Sequence, residues 1–164
     1  MIVDNALSLP AALLESDAYL LGRVRTRLIR RLAEEHAALG LRIGQGVILI
    51  CLEELGPLSQ RDLAQLLDVD PSDLVRHLDD LEAGGFVERR PDLSDRRRNL
   101  LVITAPGQML RRRYEAMIAR VEEEIFGVLE PDDRLTFRRL LRRLATAPAA
   151  ADAAQMREAR EGER

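Results

Sequence analysis

Leu81-Glu82-Ala83-Gly84-Gly85-Phe86-Val87-Glu88-Arg89-Arg90-Pro91-Asp92 is the stretch on which the fold of this 164-residue chain turns. Paired glycines stop a helix, because they carry no Cβ and accept backbone conformations that no other residue adopts cheaply. Directly after them Phe86 to Arg90 alternates like a short strand and breaks at Pro91. A second strand pattern, Asn99-Leu100-Leu101-Val102-Ile103-Thr104, follows the polar loop Pro91-Asp92-Leu93-Ser94-Asp95-Arg96-Arg97-Arg98. Strand, turn-rich loop and strand predict a β-hairpin.

Upstream, Asp70-Pro71-Ser72-Asp73 is a helix start. It offers a carboxylate to cap the free amides, a proline where no N–H is needed, and a second acid in the first turn. At 100° per residue Leu74, Leu78 and Leu81 fall on one side and are the predicted core face. Before this helix, Ser59-Gln60-Arg61-Asp62 is a capping-box pattern with Asp62 in place of the usual glutamate. It opens a short helix whose apolar side is read as Leu63, Leu66 and Leu67. Two short helices with a few residues between them form a helix-turn-helix candidate, and the hairpin behind them is its wing.

Further out the pattern is helical on both sides. Leu20, Val24, Leu28 and Leu32 step by four, Leu21 joins the stripe, and the spacing predicts one amphipathic helix from Leu13 to Leu39. The solid apolar run Val47 to Leu52 fits a buried strand or a buried helix by periodicity. Glu53-Glu54-Leu55 followed by Gly56-Pro57 decides for a helix, being a last turn and a stop. Thr104 caps a long helix with the stripe Leu110, Tyr114, Met117, Val121, Ile125 and Val128. Pro131-Asp132-Asp133 starts a last one with Leu135, Phe137, Leu140, Leu141 and Leu144. Residues 147–164 have little to bury and are expected to be a frayed or disordered tail. The expected fold is mainly α with a small β-hairpin wing: a winged helix-turn-helix lobe at 44–104, with helices at 11–43 and 105–146.

Composition narrows the function. Hydrophobic residues make up 46% of the chain, aromatics 3%, and tryptophan is absent, so the core is aliphatic. No apolar run reaches the roughly 20 residues that span a bilayer. A single cysteine makes no internal disulfide and fits a reducing cytoplasm, the expected location. A net charge of −3 means that any nucleic-acid binding rests on local arginine patches. We find no nucleophile–base pair, phosphate loop or metal cluster in the sequence, so neither an enzyme nor a cofactor is expected.

The order of these elements resembles the multiple-antibiotic-resistance regulator (MarR) family over Leu13 to Leu144. The resemblance is sharpest in Leu81 to Thr104 and includes Asp70-Pro71-Ser72, the aspartate-x-arginine wing signature at Asp95 and Arg97, Gly56-Pro57-Leu58-Ser59 and Thr104-x-x-Gly107. It implies a homodimer interlocked through the helices at 11–43 and 105–146, with two winged lobes straddling DNA. It also implies a cleft for a small aromatic ligand and a repressor role ended by that ligand or a stress signal.

A recognition helix puts its N-terminal part into the major groove, which favours Ser72, Asp73, Val75 and Arg76 as readers. Arg76 has the fork that matches guanine. Asp73 is open to two readings, a base contact or simple helix-start electrostatics. Asp73, Val75 and Asp80 depart from the family's usual threonine and arginine and make this helix acidic. Wing residues Asp95, Arg96, Arg97 and Arg98 are the expected minor-groove or phosphate contacts, in a stretch from Arg89 to Arg98 holding five arginines against two aspartates. Of Arg96 and Arg97, one is expected to reach DNA while its neighbour ties back to Asp95. Ser59 and Gln60, at the cap of the first short helix, are placed near the DNA backbone. Cys51 is read as a core thiol. His36 is open to ligand contact or placement at a helix C-terminus, and no metal is expected at His36 or His77. The alternative function is a winged-helix protein-interaction module, or a paralogue that pairs with a true regulator.

Overall fold

The computed structural model of the chain describes residues 9–92, 95 and 98–147. Seven helices and three short strands are found among them. They fall into two compact units, one through Ile125 and one from Phe126 onwards.

The long first helix is divided. A single turn, α1 (Ala11–Leu14), precedes α2 (Asp17–Leu39). Ser16 sits extended between them, and its hydroxyl accepts the Tyr19 amide at 3.3 Å. A serine that caps a downstream amide takes the backbone out of the helical region, and periodicity does not register this. Leu21, assigned to the apolar stripe, is 57% exposed. Gly40, at φ +69°, closes α2, with its amide on Ala37 and the Leu41 amide on the His36 carbonyl.

The apolar run is helical, α3 (Gln45–Glu54), and buries Ile48, Leu49 and Leu52. A two-residue strand that the sequence did not disclose follows, β1 (Leu58–Ser59). Then come α4 (Gln60–Leu67) and α5 (Pro71–Ala83), joined through Asp68 at φ +51°. Leu63, Leu74, Leu78 and Leu81 are buried as expected, but Leu66 is 52% exposed and Ala64 takes its place in the core.

The wing strands are β2 (Val87–Pro91) and β3 (Asn99–Ile103). They pair antiparallel from Val87↔Ile103 to Pro91↔Asn99, and β1 pairs with the other edge of β3 at Leu58↔Leu101, giving the order β1-β3-β2. Proline donates nothing to a ladder, so its place is the last pair of an edge strand.

The next helix, α6 (Ala105–Phe126), is fastened to the wing by Thr104. The Thr104 hydroxyl donates to the Gly85 carbonyl at 2.7 Å and accepts the Gly107 amide at 3.1 Å. Leu110, Tyr114, Met117 and Val121 are buried; Val128 lies beyond the helix and is 86% exposed, so the seam ends at Ile125. The Tyr114 ring lies against Gly46, where a Cβ would stand 2.4 Å from it, so α3 and α6 approach closely only because residue 46 is glycine. In the second unit α7 (Pro131–Ala145) packs Phe137 near Phe126 at 5.5 Å, while Leu135, Leu140 and Leu144 are exposed. Each fully buried leucine of the first unit contributes about 1.5–3 kcal/mol, and a continuous cluster of them fixes α4, α5 and the hairpin in one body. The expected tail lies outside the described residues from 148 onwards.

Candidate nucleic-acid interface

The start of α5 is built by its cap. Asp70 Oδ1 accepts the Ser72 amide at 2.7 Å and the Ser72 hydroxyl beside it. The hydroxyl first, then the amide, hold the Asp70 carboxyl below the usual carboxylate range. With Leu74, Leu78 and Leu81 turned inward, Ser72, Asp73, Val75 and Arg76 all face solvent. Arg76 Nη2 lies 2.7 Å from Asp73 Oδ1, one turn back on the same helix.

The remaining acids of α5 are engaged by other elements. Asp79 accepts from Arg89 Nη2 at 2.8 Å, and Glu82 pairs with the same guanidinium. Asp79 first, and Glu82 after it, keep the Arg89 pKa above its ordinary value. Asp80 is exposed and is held by Arg42 Nε at 3.2 Å and by Gln45 Nε2 at 3.3 Å. It therefore serves the corner between α2 and α3. Gln45 is 3% exposed, also donates to the His77 carbonyl, and accepts the Arg42 amide at 2.8 Å. The sequence pattern did not mark Gln45 or Arg42, because a buried amide is recognised by its partners and the two acceptors of Gln45 Nε2 lie 32 and 35 residues away.

Ser59 caps α4 with a variation on the expected box. Its hydroxyl accepts the Asp62 amide at 3.2 Å and donates to Asp62 Oδ2 at 2.6 Å. Aspartate is one methylene too short to reach back to the cap residue's own amide, so it binds the hydroxyl. Ser59 is thereby buried, with its hydroxyl spent inside the chain, while Gln60 is half-exposed. Arg98 Nη2 reaches the same Asp62 Oδ2 at 3.1 Å. The Ser59 hydroxyl, more than Arg98, lowers the Asp62 pKa. Gln60, Arg61, Asp62, Arg89 and Arg98 line a cleft of about 580 Å³ between α4 and the hairpin.

Within the wing, the Arg98 amide donates to the Asp95 carbonyl and the Asp92 amide to the Arg98 carbonyl, both at 2.9 Å. Asp95 is exposed; Arg96 and Arg97 lie outside the described residues.

The other singled-out residues belong to the interior. Burial, and then Glu54, push the half-buried Cys51 thiol up, away from the thiolate that a reactive cysteine needs. His36 is 3% exposed, stands edge-on to Tyr114 at 5.5 Å, and donates from Nδ1 to the Leu32 carbonyl at 2.6 Å. It stands in the last turn of α2, at the helix C-terminus as read, and is buried there against the Tyr114 ring of α6. Among the described residues no group of three or more His, Cys, Asp or Glu is placed to hold a metal ion, and no helix is long and apolar enough to cross a membrane.

Comparison with known proteins agrees with this architecture. Residues 41–98 match the model of the MarR family. The HTH-type transcriptional regulator YwoH of Bacillus subtilis is 30% identical over 117 residues, 71% of this chain and 85% of the relative. The HTH-type transcriptional repressor Rv2887 of Mycobacterium tuberculosis is 30% identical over 128 residues, 78% of this chain and 92% of the relative. Among solved structures, Bordetella bronchiseptica BpsR, whose DNA binding is regulated by 6-hydroxynicotinic acid, superposes with a TM-score of 0.73 at 25% identity, covering 82% of this chain and 96% of that one. The chain belongs to the MarR family and is a transcriptional regulator with a winged helix-turn-helix fold.

Proposed function

We propose that the chain is a repressor that binds a palindromic operator as a homodimer and leaves it when a small aromatic ligand binds. One observation carries this reading: α5 buries its leucines and turns Ser72, Asp73, Val75 and Arg76 outward, on the same lobe as the arginine-bearing hairpin. Residues 44–104 form the DNA lobe, and 11–43 with 105–146 form the dimerisation region. The exposed Leu21 and Ile29 of α2 and Leu135, Leu140 and Leu144 of α7 are apolar surface that a second copy would cover. Arg96 and Arg97 at the wing tip and Gln60 at the start of α4 are the backbone contacts, and Ser59 holds that start in place. The repressor Rv2887 and the ligand-regulated BpsR support repression and release by analogy.

A gel-shift titration against the DNA upstream of the gene tests the reading. A shifted complex on an inverted repeat, with half-sites about one helical turn apart, and its loss on adding aromatic acids are expected. Failure to shift any such DNA by an intact dimer would favour the protein-interaction alternative.

A further inference from the structure

We infer that Asp73 is a specificity-determining residue: it holds Arg76 as a preset fork for guanine and selects an amino-bearing base beside it. The inference rests on the reading of α5 as the operator-reading helix. Two observations carry it. Arg76 Nη2 and Asp73 Oδ1 are 2.7 Å apart, and the side chains are 70% and 63% exposed, so the pair as a unit faces outward. Two arginines of the hairpin are held differently: Arg89, 28% exposed, is clamped by Asp79 and Glu82, and Arg98 is tied across to Asp62 on α4, whereas Arg90 pairs with Glu88 on its own strand. The Arg89 and Arg98 pairs fasten the hairpin to the helices. The Asp73–Arg76 pair fastens nothing to anything else, since both residues sit on the same helix one turn apart.

The chemistry follows from the donor and acceptor inventory. A guanidinium has five N–H donors in a rigid plane, and one bond to Asp73 leaves parallel donors for guanine O6 and N7. An exposed arginine loses side-chain freedom when it docks, and one already tethered loses less. The carboxylate only accepts, so its spare lone pairs suit cytosine N4 or adenine N6 and oppose guanine O6 or thymine O4 at the adjoining position. It also repels phosphate, so it weakens binding to every sequence while sharpening the choice among them. A carboxylate serving only the helix start would have a different signature. Its loss would lower stability and leave base preference alone.

Full-length wild type, Asp73→Ala and Asp73→Asn are each used to select sites from a random duplex pool. They are then titrated against the wild-type site and its single-base variants, with thermal melts as the control for folding. The wild type is expected to enrich an inverted repeat with a guanine in each half. Asp73→Ala is expected to bind random DNA more tightly and to lose at least about fivefold of the guanine preference. Asp73→Asn, which still accepts from Arg76 but adds an NH2 donor, is expected to keep the guanine and relax the adjoining base. If Asp73→Ala enriches the same site with the same penalties, the inference is wrong and the operator reading stands. If the wild type enriches no sequence, the operator reading is itself overturned and the role of Asp73 falls with it.

Discussion

At the scale of single residues, charge on this lobe is organised as arginine–carboxylate pairs, and the pairs differ in what they can do. Arg76 has the forked geometry that lysine lacks. Arg76→Lys, which keeps the charge, is expected to lose most of the guanine preference, about 1–3 kcal/mol, while leaving the salt dependence of binding nearly unchanged. Competition binding at two salt concentrations separates those effects. Asp62 and Asp70 are both held below the ordinary carboxylate value of 3.8, chiefly by the hydroxyls of Ser59 and Ser72. A depressed pKa in the folded state means that the unfolded chain takes up protons first on acidification. The stabilisation is therefore present at neutral pH and is lost as pH falls below 3.8 through the folded-state value. Melts of wild type and Asp62→Asn are expected to differ at pH 7, by a small amount because the group is solvated, and to converge in acid. A gap that stays constant with pH would show that shape, not charge, makes the difference.

At the scale of elements, the lobe is held by a few close approaches. Gly107, in the first turn of α6, stands where a Cβ would meet the Phe86 carbonyl oxygen at 2.1 Å. Because that neighbour is backbone, it cannot swing aside. Gly107→Ala is expected to cost about 1–3 kcal/mol and to loosen the hairpin from α6, measurable as a lower denaturation midpoint. Leu78, with no exposed surface, lies under the centre of α5. Leu78→Ala is expected to cost about 2–5 kcal/mol, since the lobe cannot collapse into the cavity without moving the helix it must present. For the wing, replacing Arg96 and Arg97 together by alanine is expected to lower the slope of log affinity against log salt by roughly 1–2, as phosphate contacts and their released counterions disappear. An unchanged slope would remove the wing tip from the interface.

For the whole molecule, the expected assembly sets the expected behaviour. A chain of 18.5 kDa is predicted to elute from size exclusion at about twice that mass, and dilution to the monomer is predicted to abolish binding to a full operator while half-sites bind weakly. The net charge of −3 gives no general attraction for DNA, so binding is expected to be more selective against bulk DNA than for a basic protein of the same fold.

Most of the architecture was written locally. Asp70-Pro71 starts α5, Gly84-Gly85 stops it, and the three leucines between them settle which side faces the core, because helix caps and 3.6-residue periodicity act over a turn or two. The hairpin and the outward residues of α5 followed from the same short-range rules. Tertiary structure alone decided the rest. The pairing of Leu58 with Leu101 made a third strand out of two residues that have no strand pattern of their own. Arg42 and Gln45 took hold of Asp80, and Ala64 rather than Leu66 entered the core. Such outcomes depend on which surfaces meet after the chain has closed on itself, and partners more than 30 residues apart leave no periodic trace in the order of residues.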